Sequence, residues 1–294
     1  MSVVNSQITQ LGGVSVGHWT DESSLTGCTA VLLPPGAVAS REVRGGAPAT
    51  RDLDALAPDK AVTSIDAVLL TGGSAFGLAS ADGVMRFLEE QRRGVPTPGG
   101  LVPIVPTMAL FDLAVGNSSV RPTAENGYQA ASSATGPSFA VGRIGAGVGA
   151  FTSHWRGEGD RKPGGIQYAE TVLGDLVVGA LCAVNAYGDV DRGNTAVSLD
   201  SVADLKPPFT YSSDRVHTTI GVVISNARLD KTACFVVAQG AHDGLSRALT
   251  PPHTRYDGDG FVAVATGEVE ADVDTVRLMA LDAVCRAIRS APER

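Results

Sequence analysis

The stretch DRVHTTIGVVISNARL, Asp214 to Leu229, decides how this chain is read. A charged, irregular run stops at His217, and two threonines open the apolar run 218–224. Its length and β-branched content predict a buried strand. Thr218 then has two readings. Threonine opens strands often, because its branched side chain suits a pleated surface. A threonine at the end of an accessible loop can also become a nucleophile once its own amine is freed. The residues before it, LDSVADLKPPFTYSSDRVH at 199–217, are polar, with Pro207 and Pro208 at their centre. They predict an exposed segment, which a processing site requires.

Further strand-like runs fall at 30–33, 67–70, 101–105, 165–172, 176–185 and 261–265. Helices are predicted over 75–91, over 229–249 with Asp230 as N-cap, and over 274–289. In the last, Val276, Met279, Ala280, Ala283, Val284, Ala287 and Ile288 form an apolar stripe at helical spacing. This order of elements implies a layered α/β fold with sheets inside and helices outside. With 294 residues and 44% hydrophobic content, the chain can bury a sizeable core. Only 5% aromatics and as many as 35 glycines mean a core of small aliphatic side chains and many tight turns.

A net charge of −8 without a Lys/Arg cluster argues against a nucleic-acid surface. The cysteines, at 28, 182, 234 and 285, are far apart, lack zinc spacing and have apolar neighbours, so they read as core thiols in a reducing cytosol. The N-terminus shows no signal-peptide pattern, and the longest apolar run, Leu176–Val184, is too short to span a membrane. A cytoplasmic protein is expected.

TGGSAFG at 71–77 misses the serine-hydrolase elbow GxSxG, because Phe76 stands at the last glycine. It reads instead as a backbone turn whose N–H groups can hold a carboxylate or an oxyanion. Gly145, Gly147 and Ala150 match GxGxxA, but no helix-forming sequence follows, and a glycine-lined strand is the better reading. Residues 152–165 read as an exposed, glycine-rich excursion. Asp257 and Asp259 stand two apart, either as two carboxylates on one side of the chain or as a DG turn. Phe261 and Gly193 occupy the place of a third calcium ligand in the two Asp-rich runs, so no metal site is expected. Asn185 closes an apolar run and is either a turn residue or an oxyanion donor.

Together the segments REVRGGAPATRD, VLLTGGSAFGLASADGVMRFLEE, GRIGAGVGA, HTTIGVVISNARL and HTRYDGDGFVAVAT resemble the DmpA-type aminopeptidases. That group holds the L-aminopeptidase/D-esterases, the β-peptidyl aminopeptidases and the nylon-oligomer hydrolases. The resemblance runs from about Gly12 to Ile288. It implies an αββα sandwich shared with the ornithine acetyltransferases. It also implies a single domain, 1–294, that cuts itself between His217 and Thr218 into subunits 1–217 and 218–294. By that resemblance Thr218 is the N-terminal nucleophile, Asn185 serves the oxyanion, and Asp257 and Asp259 orient the nucleophile. No cofactor is implied. The substrate would be a small peptide, amide or ester, and the working form a homo-oligomer, often of four processed protomers.

Three positions depart from the pattern. His154 stands for the family lysine, Phe111 for a tyrosine near the oxyanion, and His217 where Asn or Gly is more familiar. An imidazole at 154 with the reference pKa of about 6.5 predicts activity that is pH-sensitive near neutrality. Two alternatives stand beside the aminopeptidase reading: an acyltransferase of the ornithine acetyltransferase type, and a family member that binds a small ligand without maturing.

Overall fold

The computed structural model describes residues 4–7, 10–156, 158–193 and 217–293. The segment at 199–216, with its Pro207–Pro208 pair, lies outside the described residues.

Two five-stranded sheets form the centre. The first runs in the order Gly165–Leu173, Leu176–Val184, Ile220–Ala227, Gly260–Val269, Val38–Val43. The second runs Ser15–Asp21, Thr26–Leu32, Ala67–Thr71, Thr107–Ala109, Ala49–Arg51. Pairing is antiparallel except at one place in each sheet. Strand Ile220–Ala227 runs parallel to Gly260–Val269, and Ala67–Thr71 runs parallel to Thr107–Ala109.

Alternation along the strands assigns side chains to layers. Val31, Val68 and Leu70 face Leu181, Val222, Ile224, Val262 and Val264 in a core between the sheets. The intervening residues face outwards. Cys28, Ala30 and Leu69 pack with Val84, Leu88 and Ala130 of helices Ala81–Glu90 and Ala124–Ser132. Val223, Ala263 and Phe261 pack with Val237, Leu245, Ala280 and Val284 of helices Lys231–Ala248 and Val273–Arg289. The result is the expected αββα layering. Because both faces of the central strands are buried, runs such as 220–224 and Leu176–Val184 are apolar throughout rather than alternating.

The three expected helices form, and Asp230 caps Lys231–Ala248 by accepting the Ala233 N–H at 2.7 Å. The first of them is interrupted: a turn at Ser74–Gly77 and a 3-10 turn at Leu78–Ser80 precede Ala81–Glu90. The strand-like run at 101–105 is a strand only in its first part. Gly100–Val102 is an exposed hairpin arm paired only with Val95–Thr97, Pro103 ends it, and the core strand is Thr107–Ala109. Residues Gly145–Gly147 form a 3-10 turn rather than a strand, although close approach does explain Gly147: a Cβ there would lie 2.3 Å from the Ile166 nitrogen. Residues 152–165 are not wholly an exposed excursion, since Thr152 and Ser153 are buried. No described helix is long and apolar enough to cross a membrane.

Candidate active site

The parallel register builds the site. Ile220 pairs with Gly260, and the pairing continues backwards past both strand ends, so that His217 bridges Asp257. Residues 217–219 and 257–259 therefore lie side by side at the mouth of the sheet. All of His217, Thr218, Thr219, Asp257 and Asp259 are buried, and Thr218 is only 2% exposed. From the other neighbouring strand, Leu176–Val184, the chain continues into Asn185, whose carbonyl accepts the Thr218 N–H at 2.7 Å.

The Thr218 hydroxyl donates to the His217 carbonyl oxygen at 2.5 Å. The Gly258 N–H points at the same pair of atoms, 2.9 Å from the His217 carbonyl oxygen and 3.2 Å from Thr218 Oγ1. This approach demands glycine, because a Cβ at 258 would lie 2.7 Å from Thr218 Oγ1 and 2.8 Å from the Ala47 carbonyl oxygen. The loop 44–47 closes over the turn. Arg44 and Gly45 donate N–H groups to the Asp259 carbonyl, and Ala47 donates to that of Asp257. Close packing here is why the RGG run is glycine-rich: a Cβ at Gly45 would stand 2.3 Å from two backbone atoms of the turn.

The two carboxylates are held differently. Asp257 accepts the Tyr187 N–H on Oδ1 (3.2 Å), and on Oδ2 both the N–H (2.9 Å) and the hydroxyl (2.5 Å) of Thr254. Burial first, and then the charge of Asp259, push the Asp257 carboxyl up to about 7, against those hydrogen bonds. It can therefore hold or release a proton near neutral pH. Asp259 accepts the Thr219 N–H at 2.8 Å on Oδ1, and its Oδ2 lies 2.8 Å from His253 Nδ1. The arrangement is more than a solvent-exposed DG turn.

Asn185 is brought beside Thr218, but its side chain is engaged elsewhere. Its Oδ1 accepts the Phe151 N–H at 3.0 Å and its Nδ2 donates to the Phe111 carbonyl at 3.1 Å. One amide hydrogen is left for a further acceptor. Phe111 thus reaches the site through its main chain. His154 lies against His217, ring centroids 3.8 Å apart and planes 30° from parallel. Burial, with the Arg161 charge adding to it, lowers His154 to about 4. This corrects the expectation of a titration near 6.5, because burial favours the neutral ring.

Several residues of the site escaped sequence reasoning. Asp112 is 3% exposed and accepts the Gly73 N–H and the Thr26 hydroxyl, both at 2.7 Å. Burial raises it to about 6 against those two bonds. The carboxylate held by the TGGS turn is therefore the protein's own, and it ties that turn to the Phe111 carbonyl and so to Asn185. Its position directly after Phe111 was the available signal. Gly258 and Tyr187 act through backbone N–H groups, which leave no mark on side-chain chemistry. Among the described residues no three His, Cys, Asp or Glu side chains gather as a metal-ligand set.

The family model for peptidase family S58 matches residues 6–294. An uncharacterised aminopeptidase of Mycobacterium leprae is 43% identical over 92% of this chain and 81% of its own length. A 6-aminohexanoate-oligomer endohydrolase of Kocuria is 29% identical over 88% of this chain and 74% of its own. Among solved structures, a Burkholderia β-aminopeptidase superposes with a TM-score of 0.71 at 22% identity, covering 97% of this chain and 85% of that one. The L-aminopeptidase D-Ala-esterase/amidase of Ochrobactrum anthropi, described as a variant of the Ntn hydrolase fold, gives 0.72 at 20% identity over 96% and 84%.

Proposed function

The chain belongs to peptidase family S58, a finding that makes it an aminopeptidase-type hydrolase, and on that premise we propose that it cuts itself before Thr218 and then uses Thr218 as an N-terminal nucleophile. The observation that carries this reading is the single N–H of Gly258 held on both the His217 carbonyl oxygen and Thr218 Oγ1. In processing, Thr218 Oγ1 attacks the His217 carbonyl carbon, and the negative charge that develops on its oxygen meets that N–H. The C–N bond breaks, the proton from the hydroxyl ends on the freed Thr218 amine, and an ester is left. Water then hydrolyses the ester, giving a carboxyl group on His217 and restoring the hydroxyl. Asp257, whose main chain bridges His217 and whose carboxyl is pushed up to about 7, is the proton carrier in this scheme.

After the cut, the new α-amine has a reference pKa near 8 and is the base for its own hydroxyl. The Asn185 carbonyl, which accepts the Thr218 N–H in the uncut chain, is a fixed anchor for that amine. The acyl group of a small peptide, amide or ester is transferred to Oγ1, the amine (from an ester, the alcohol) departs with the hydroxyl proton, and water then releases the acid. The free hydrogen of Asn185 Nδ2 serves the oxyanion, and its loss in Asn185→Ala costs on the order of 100-fold in kcat. The proposal includes a cytoplasmic setting, which suits four buried free thiols, and a homo-oligomer of processed protomers.

Thr218→Ala and Thr218→Ser test the assignment, with aminoacyl p-nitroanilides as substrates. Thr218→Ala stays full length and inactive, having lost both roles at once. Thr218→Ser keeps part of both, since the oxygen and the amine survive. A Thr218→Ala protein that hydrolyses the anilides at the wild-type rate would overturn the assignment.

A further inference from the structure

The uncut chain holds a template of its own substrate. In both reactions the residue before the scissile bond becomes the acyl group esterified to Thr218 Oγ1, so the surroundings of that residue in the uncut chain are a guide to the acyl site. In the uncut chain that residue is His217, held at its main chain by hydrogen bonds and at its ring by stacking. Its N–H donates to the Tyr256 carbonyl at 3.0 Å, and its carbonyl accepts the Gly258 N–H at 2.9 Å. Its ring is buried beside two rings lying nearly parallel to it: His154 at 3.8 Å and 30°, and Tyr187 at 5.6 Å and 27°. Tyr256 stands against Tyr187 at 6.2 Å, and Phe151 presents an edge to His154 at 6.5 Å.

We propose that the place vacated by His217 is the acyl-side specificity pocket of the mature enzyme, and that it selects substrates whose N-terminal residue carries a planar aromatic side chain. This rests on the proposed Thr218 reaction and deepens it. Stacking surfaces of this kind favour flat π systems over aliphatic side chains, and small residues leave the space unfilled. The substrate's α-ammonium takes the Tyr256 carbonyl that the His217 N–H now occupies, and its scissile carbonyl takes the Gly258 N–H together with the Asn185 Nδ2 donor.

Two measurements test this, one on the mature enzyme and one on maturation. The first is kcat/KM for phenylalanyl, tyrosyl, alanyl, glycyl and lysyl p-nitroanilides. The aromatic pair exceeds the other three by roughly ten- to a hundredfold. His154→Ala, its maturation checked by mass, brings the phenylalanyl-to-alanyl ratio towards one, and a ratio unchanged from wild type overturns the assignment of that ring. If His154→Ala does not mature, the ratio is read on His154→Phe, where a ring remains and the preference must persist. The second measurement is the rate of self-cutting: His217→Phe keeps it within a few-fold, and His217→Ala slows it about tenfold or more. Thr218-dependent turnover that is as fast on alanyl or glycyl anilide sinks the pocket and leaves the proposed reaction standing. A wild-type chain that stays uncut and turns over none of the anilides sinks both.

Discussion

Asp257 is pulled in opposite directions. Three donors favour its charged form, while burial and the neighbouring Asp259 favour the neutral one and prevail, raising it to about 7. The sign of its effect on stability follows. Between the unfolded value near 4 and the folded value near 7 the native state holds a proton that the unfolded chain has released, so stability falls as pH rises through that window. Asp257→Asn removes this titration, and when the two side chains are compared in the Thr218→Ala chain, which stays uncut, the groups that do not interact with Asp257 cancel. The variant's unfolding free energy should decline less steeply from pH 4 to 7, by about one proton's slope. With Thr218 in place, its self-cutting should slow on the order of 100-fold, because an amide cannot relay a proton and because both carboxyl oxygens now accept backbone N–H groups, one of which would face the new NH₂. Chemical denaturation at several pH values reads the first effect and intact mass over time the second; parallel stability curves would show that Asp257 titrates alike in both states.

At this scale the sequence exposes side chains with chemistry and hides main-chain atoms. Thr218, Asn185, Asp257 and Asp259 could be named from residue type and position, and they do lie together. Gly258 looks in sequence like any turn glycine, and Asp112 finds Thr26 across 86 residues, a contact no local pattern reveals.

Among the elements, helices Lys231–Ala248 and Val273–Arg289 pack through two glycines one turn apart. A Cβ at Gly244 would lie 2.4 Å from the Leu281 carbonyl oxygen, and one at Gly240 would lie 2.7 Å from that of Arg277. In an exposed helix Gly→Ala is worth about 1 kcal/mol of added stability. At Gly244 the sign should reverse, because the neighbour is rigid backbone, and Gly244→Ala should lower Tm by several degrees. A Tm equal to or above wild type would show that the helices can move apart freely. Elements were legible where a full apolar stripe or run existed, as at Val273–Arg289 and Leu176–Val184. Helix Ala124–Ser132 was not, because AENGYQAAS is small and polar and carries Gly127 at its centre, where a Cβ would meet the Ser80 carbonyl oxygen at 1.8 Å. Nor was the core strand Thr107–Ala109, three residues long and hidden behind the more apolar LVPIV at 101–105.

For the molecule as a whole, the position of the proposed cut has a consequence. Strands Ile220–Ala227 and Gly260–Val269 come from the C-terminal side, and they lie between Leu176–Val184 and Val38–Val43 from the N-terminal side. Both cores that flank this sheet mix residues from the two sides, such as Leu181 with Val222 and Val178 with Val237. A cut between 217 and 218 therefore leaves one sheet and its packing intact, and the two pieces stay together without a covalent link. Layering at this scale was legible from the order of elements, whereas the interleaving comes from strand pairing that sequence order does not state.

If Thr218 becomes a chain terminus, the purified wild-type protein shows it by mass, first under denaturing and then under native conditions. Two denatured masses are expected, for 1–217 and for 218–294 with threonine at its N-terminus, and native species in which the two are always present in equal number. A catalytically active protein with the single mass of the uncut chain, or a C-terminal piece that begins at any residue other than Thr218, would contradict it.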